Sequence, residues 1–210
     1  MFLRSPRSNI VDIILAAPSV SSLQLLVTEC QKALDVLDLA INVKKCDCIR
    51  IGRRHSVACL PISLCDGQLI HWSNTITYLG VTIVSATSFN CSFKVAKGKF
   101  YRAFNAIFGK VGRCANEVVT VELLRAKCMP ILLYAVEACP IKSSEINNLQ
   151  FALTGAIMKI FNTKSKEIAS DCANMFGIPE ISSSVNRRTS KFIRSFNSMD
   201  TLYHQVLVDR

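Results

Sequence analysis

The chain lacks any run of about 18 uninterrupted apolar residues, the length that a membrane-spanning helix requires. Its most apolar stretch, Pro130 to Val136, stops at Glu137. A signal core is missing too, because Asp12 and Pro18 interrupt the one candidate near the start. These absences predict an intracellular protein, nuclear or cytoplasmic and not secreted, with no membrane partner. There is no Gly-rich phosphate loop, no His-Glu-x-x-His helix and no Gly-x-Ser-x-Gly elbow, which removes the familiar signatures of P-loop nucleotide hydrolases, zinc proteases and serine hydrolases. His is scarce, with three in 210 residues, and only 19% of the chain is charged. No internal repeat or low-complexity tract occurs, so neither a repeat solenoid nor a compositionally biased tail is expected.

What is present is apolar and basic. Half the residues are hydrophobic and the mean hydropathy is +0.31, enough for a sizeable core in one domain or two small ones. The net charge is +10, unevenly spread: residues 1 to 91 hold 8 Lys/Arg against 6 Asp/Glu, and residues 92 to 210 hold 17 against 9. An excess of this kind favours a polyanionic partner such as RNA or DNA through phosphate contacts and counterion release, without specifying sequence. The other reading is a solubilising surface on an apolar protein.

The ten Cys are scattered through apolar stretches, and no Cys-x-x-Cys occurs. One cluster bears on zinc, which needs four N or S ligands: Cys46 and Cys48, with His55, Cys59, Cys65 and His71 following. Cys46 and Cys48 stand two apart and share one face of an extended segment, where packing in a core accounts for them equally well.

Hydrophobic spacing predicts an α/β piece followed by helices. Asp12 to Ala17 reads as a short strand. Ser19 or Ser21 can cap a helix in which Leu23, Leu26, Cys30, Leu34 and Leu37 form a buried stripe. Cys46 to Ile51 reads as a strand ending at Gly52, and Leu69 to Trp72 with Ile76 to Val84 as a hairpin whose second arm Gly80 interrupts. From about Ser92 the period becomes helical: Phe93, Phe100, Phe104, Ile107, Phe108 and Val111 oppose Lys94, Lys97, Lys99, Arg102 and Lys110. Glu117 to Val136 continues as a helix disturbed near Pro130, which has no amide to donate. Ile146, Leu149, Leu153, Ile157 and Ile160 mark another helix, Ile168 to Phe176 a shorter one stopped by Gly177 and Pro179, and Ile181 to Asn197 the last.

Four segments, in order, carry a resemblance. Asn9-Ile10-Val11-Asp12-Ile13-Ile14-Leu15-Ala16-Ala17-Pro18-Ser19 resembles the active-site hairpin of reverse transcriptases from non-long-terminal-repeat (LINE-type) retrotransposons. In those enzymes aromatic-Ala-Asp-Asp precedes the apolar run; here Asn9, Ile10 and Val11 stand at its first three positions and Asp12 at the fourth. Leu39 to Cys46 resembles the next palm motif, Leu-x-x-Asn-x-x-Lys-Thr/Ser, with Lys45 at the lysine and Cys46 at the hydroxyl residue. Tyr78-Leu79-Gly80-Val81 is similar to the family's primer-grip hairpin, and Pro130-Ile131-Leu132-Leu133-Tyr134-Ala135-Val136-Glu137 to the thumb pattern Pro-x-Leu-Leu-Tyr-Gly followed by Glu, with Ala135 at the usual glycine.

The resemblance implies an α+β fold: a partial polymerase palm over residues 1 to 88, a short antiparallel sheet with one packed helix, followed by a helical thumb-like bundle over residues 89 to 210. It implies Asp12 as a remnant metal-binding carboxylate, Lys45 as a proton donor near departing pyrophosphate, and nucleic-acid contacts at Tyr78, Leu79, Gly80, Lys94, Lys97, Lys99 and Arg102. The family uses Mg²⁺ held by paired carboxylates; with Val11 in place of one, productive Mg²⁺ binding is not expected. No fingers and no earlier palm strand with a further Asp precede Asn9, and residues 1 to 8 read as a chance start. The expectation is a truncated, degenerate remnant of an RNA-directed DNA polymerase without activity, prone to self-association through exposed palm surface. Two alternatives stand beside it: a non-catalytic basic nucleic-acid-binding module using the helices after Ser92, and a zinc-stabilised protein-interaction module.

Overall fold

The computed structural model describes the backbone of residues 2–4, 10–112 and 114–198, and side chains within those ranges from residue 13 onward. The protein is α+β, with short antiparallel sheets and helices, and divides into two compact units after Asn90, within the short strand β8 (Asn90–Ser92).

In the first unit, β1 (Phe2–Arg4) lies between β2 (Ile10–Asp12) and β3 (Ala40–Ile41), antiparallel to both, with Phe2 opposite Asp12 and Leu3 opposite Ile41. Residues 2 to 4 thus form the middle strand of this sheet. The strand expected over Asp12 to Ala17 instead ends at Asp12, because its partner is only three residues long. Side chains from Ile13 to Ala17 still alternate between half-buried and exposed, without a ladder.

Helix α1 (Val20–Val36) starts where expected: the Ser19 hydroxyl accepts the Ser22 amide proton. Its buried face differs from the stripe expected, because Val27 and Leu34 are the buried positions whereas Leu26 and Leu37 are exposed. Val27 sits with Cys46, Cys48, Ile62, Leu64 and Ile70 in the core of this unit. Two glutamines on the helix finish the contact. Gln24 donates to the Ser63 carbonyl (2.6 Å) and accepts the Ser63 amide proton (2.9 Å), and Gln31 accepts the Cys65 amide proton (2.8 Å). They satisfy the free edge of the two-residue strand β4 (Ile62–Ser63), which on its other side pairs with β5 (Leu69–Ile70).

Cys46 to Ile51 is not a strand. The Cys46 amide closes a 3₁₀ turn on Val43, and only Cys48 exchanges backbone bonds with a neighbour, donating to His71 and accepting from Ser73 in a single parallel bridge opposite Trp72. The hairpin expected from Leu69 onward is two separate elements: β5 pairs backward with β4, and β6 (Thr75–Tyr78) pairs with β7 (Val81–Val84). Gly80 belongs to the turn between β6 and β7 and does not interrupt an arm. Leu79 and Gly80 have φ of 46° and 81°, the pattern of a two-residue type I′ hairpin turn.

The second unit is helical. Phe100 and Phe104 of α2 (Lys94–Val111) are buried, their rings stacked at 6.3 Å, with Phe104 and Phe108 at 5.6 Å. Lys159 lies 4.9 Å from the Phe108 ring centre and donates to Asn105, binding the basic end of its helix to the aromatic stripe of α2. That helix, α5 (Ser143–Ile160), is the best buried: Leu149, Ala152, Leu153, Ala156 and Ile157 all face the core.

Between them, the single helix expected over Glu117 to Val136 is split. An α-helical turn pair, α3 (Glu117–Leu123), widens into a π segment over Leu124–Cys128 and resumes as α4 (Met129–Leu132). The widening falls just ahead of Pro130, whose ring displaces the carbonyl of the preceding turn and whose nitrogen cannot close the usual bond. The chain then reverses through Ala135, at φ 59°. Ser165 caps α6 (Lys166–Met175), which ends at Gly177 with φ 63°, and α7 (Ile181–Asn197) buries Ile181, Ser184 and Val185.

A left-handed backbone costs an L-residue with a Cβ roughly 1–2 kcal/mol, and glycine escapes most of that cost. Ala135→Gly is therefore expected to stabilise the protein by about 1 kcal/mol, read as a raised midpoint in urea unfolding with unchanged slope.

Candidate nucleic-acid interface

The residues singled out from sequence fall into separate places. The strand that carries Asp12 pairs with β1, while the Asp12 side chain lies outside the described residues. Lys45 ends the 3₁₀ turn Val43–Lys45 and is exposed. Tyr78, Leu79 and Gly80 do come together, at the tip of the β6–β7 hairpin. Leu79 is 58% exposed although apolar, and it holds a positive φ that favours Gly or Asn. The turn thus keeps a large apolar side chain in the costlier conformation at a solvent-facing tip.

The basic residues of the second unit sit on α2. Lys94, Lys99 and Arg102 fan across its exposed side, opposite Phe100 and Phe104, whereas Lys97 lies beside the aromatic stripe and is half-buried. Three of the four cations therefore face solvent on one broad surface, with the chemistry that phosphate contacts require and none that reads bases. The helix carries no Asp or Glu.

A second basic surface is built by α7. Arg188 donates to the Leu133 carbonyl at 3.2 Å and lies 3.7 Å from the Glu137 carboxylate, so it ties the last helix to the reversal after α4. Arg187, Lys191 and Phe192 stand around a shallow cavity of about 640 Å³ beside it. The sequence predicts the cations of this helix, but not that one of them is spent on structure.

Sequence reasoning missed a cleft in the first unit. Arg50, Arg53 and Arg54 rim a depression of about 560 Å³ floored by Leu23, Ile49 and Trp72. Its signal was the dipeptide Arg53-Arg54 after Gly52, hidden because the charge of residues 1 to 91 nearly cancels. Arg50 is held in place by bonds to the Val57 carbonyl and the Cys59 thiol, and the Trp72 indole by a bond to the Leu60 carbonyl at 2.8 Å.

The cysteines of the zinc reading do not converge. Among the described residues no three His, Cys, Asp or Glu side chains are placed to share a metal ion. Cys46 and Cys48 are buried in the first unit's core, with the Cys46 thiol donating to the Asn42 carbonyl, while Cys65 is exposed and Cys59 is engaged by Arg50. Burial, with the neighbouring Cys46 next, pushes the Cys48 thiol up to about 11. In the second unit burial and a hydrogen bond with Cys139 push Cys91 up to about 12.

No protein-family model matches the chain, and no match emerges among curated proteins or solved structures.

Thiolates alkylate and buried thiols do not. With iodoacetamide at pH 8, mass spectrometry is expected to find Cys65 and Cys114 modified and Cys48, Cys91 and Cys128 protected until the protein is unfolded. Protection of Cys65 that a chelator abolishes would restore the zinc reading.

Proposed function

We propose that this chain is a degenerate palm-and-thumb segment of a LINE-type reverse transcriptase, without polymerase activity of its own, which grips nucleic acid through α2 and the β6–β7 hairpin. The observation that carries the reading is conformational. In the thumb-like segment Pro130 to Glu137, the position at which the family has glycine is Ala135, and its backbone is left-handed at φ 59°. A left-handed backbone is one that glycine adopts readily, which supports the resemblance at this position. The same agreement supports the hairpin, where Gly80 of the Tyr-Leu-Gly-Val segment takes φ 81° in a two-residue turn.

The residues present do not fit a magnesium pair. Phosphoryl transfer by two ions about 4 Å apart needs several carboxylate oxygens to bridge and orient them. Val11 is apolar where the family has Asp, which leaves Asp12 as the one carboxylate at that turn. No catalytic step is assigned to Asp12 or Lys45 in this chain. Binding survives such a loss because it needs cations, not carboxylates. Lys94, Lys99 and Arg102 supply them on one face, and the excess of Lys/Arg after residue 92 extends them.

Primer extension on an RNA template with Mg²⁺ or Mn²⁺ is expected to give no incorporation; incorporation that Asp12→Ala abolishes would refute the inactive assignment. Affinity for an RNA–DNA duplex is expected to fall steeply with salt. Neutralising Lys94, Lys97, Lys99 and Arg102 together should flatten the log–log salt slope by about 3 to 4. An unchanged slope would remove α2 from the interface.

A further inference from the structure

We propose that the arginine-rimmed cleft of the first unit binds one nucleotide of a single nucleic-acid strand, with the phosphate on Arg53 and Arg54 and the base on the apolar floor beside Trp72. The inference deepens the nucleic-acid reading above, since it takes the nucleotide from a strand. It rests on different residues, in a different unit.

The cleft has the two chemistries that a nucleotide needs. Its rim holds three guanidinium groups, and no Asp or Glu is among the residues that line it. Only Arg50 is occupied, by the Val57 carbonyl and the Cys59 thiol. Arg53 and Arg54 are exposed and enter no ion pair among the described residues. Arg53 and Arg54 are adjacent in the lining, and no carboxylate there neutralises them. The guanidinium fork matches phosphate oxygens in pairs. The first turn of α1 opens on the same cleft at Ser19 and Val20 and adds positive partial charge to it.

The floor is apolar and partly aromatic. Leu23 and Trp72 pack against the core beneath, and the bond from the indole to the Leu60 carbonyl fixes the ring. An indole and a leucine among cationic residues suit base stacking with phosphate anchoring, a mode that tolerates any base. At about 560 Å³ the cleft is within the roughly 300–1,000 Å³ range of sites that take small ligands. A free nucleoside monophosphate offers the same chemistry as one unit of a strand, and the two sources are separable.

Trp72 is the only tryptophan in the chain, and its ring lines both this cleft and a neighbouring depression of about 350 Å³, from which Arg53 and Arg54 are absent, so quenching is assigned to the cleft where the Arg53 and Arg54 substitutions remove it. The full chain is titrated with a thymidine oligonucleotide, with anisotropy of a labelled oligonucleotide reading binding anywhere and Trp72 emission reading the cleft. A parallel titration uses adenosine monophosphate. The expected result is quenching of Trp72 that saturates together with anisotropy. Arg53→Ala with Arg54→Ala should weaken oligonucleotide binding about tenfold or more and flatten the salt slope by about 1.4, the single-strand value for two lost contacts. Both arginines are exposed and outside the core, and the paired lysine substitution, which keeps the charge, is expected to retain most of the affinity.

Oligonucleotide binding that leaves Trp72 emission unchanged and is indifferent to the Arg53/Arg54 substitutions overturns this inference while the nucleic-acid reading stands. Quenching by adenosine monophosphate without any oligonucleotide binding overturns occupation of the cleft by a strand, while the reading of α2 is decided separately by the RNA–DNA duplex titration. Absence of both signals overturns this inference, and absence of duplex binding as well overturns the reading it rests on.

Discussion

The fold depends on how backbone polar groups are satisfied where regular structure runs out. No described strand exceeds four residues, and several helices end without a side-chain cap of their own, so ladders and helical bonds leave many amides and carbonyls open. Long polar side chains from neighbouring elements close them. In the first unit Gln24 and Gln31 reach the backbone of Ser63 and Cys65, Arg50 reaches Val57 and Trp72 reaches Leu60. In the second, Arg125 donates to the Phe176 carbonyl at the end of α6, Arg188 to Leu133 at the end of α4, and Gln150 accepts the Ile181 amide proton at the start of α7. Each bond is worth only about 1 kcal/mol net; most lie at the exposed surface, and those of Arg188 and Gln150 are part-buried. These side chains act as position-specific fasteners.

That constraint sorts the cations by role. Arg50, Arg125 and Arg188 are engaged by carbonyls and hold elements together, which is why a basic residue near a candidate interface is not automatically part of it. Lys94, Lys99, Arg102, Arg53 and Arg54 are exposed. They remain available to a polyanion, and they occur in both units rather than only in the second, where the charge excess is concentrated. A near-neutral average over residues 1 to 91 conceals a local cluster, because acidic residues elsewhere in that stretch, such as Glu29, Asp35 and Asp38, cancel it in the sum but do not line the cleft.

The reading of the chain as a degenerate reverse-transcriptase segment turns on an asymmetry between chemistry and architecture. On that reading a metal pair tolerates no apolar substitute for a carboxylate, so Val11 by itself would end turnover. A left-handed turn tolerates Ala in place of Gly for roughly 1–2 kcal/mol, which packing on Leu132, Leu133 and Val136 can absorb, all of them buried. Backbone shape therefore persists under changes that end turnover.

By itself the sequence determined the helices with strong 3.6-residue periodicity, α2, α5, α6 and α7, together with the Ser19 cap and the stop at Gly177, because these depend on neighbours within one or two turns. It also determined that Val11 cannot ligate a metal. Tertiary structure alone decided the rest. Cys46 to Ile51 had the alternation of a strand but no partner along its length. Leu26 and Leu37 had the spacing of a buried stripe but face away from the small core under Val27. The arginine cleft brings together residues from positions 17 to 72, distant in the chain and unremarkable in composition. Pairing partners, the facing of a helix and the convergence of a rim are all set by contacts remote in sequence, and local pattern carries no information about which remote surface a residue will meet.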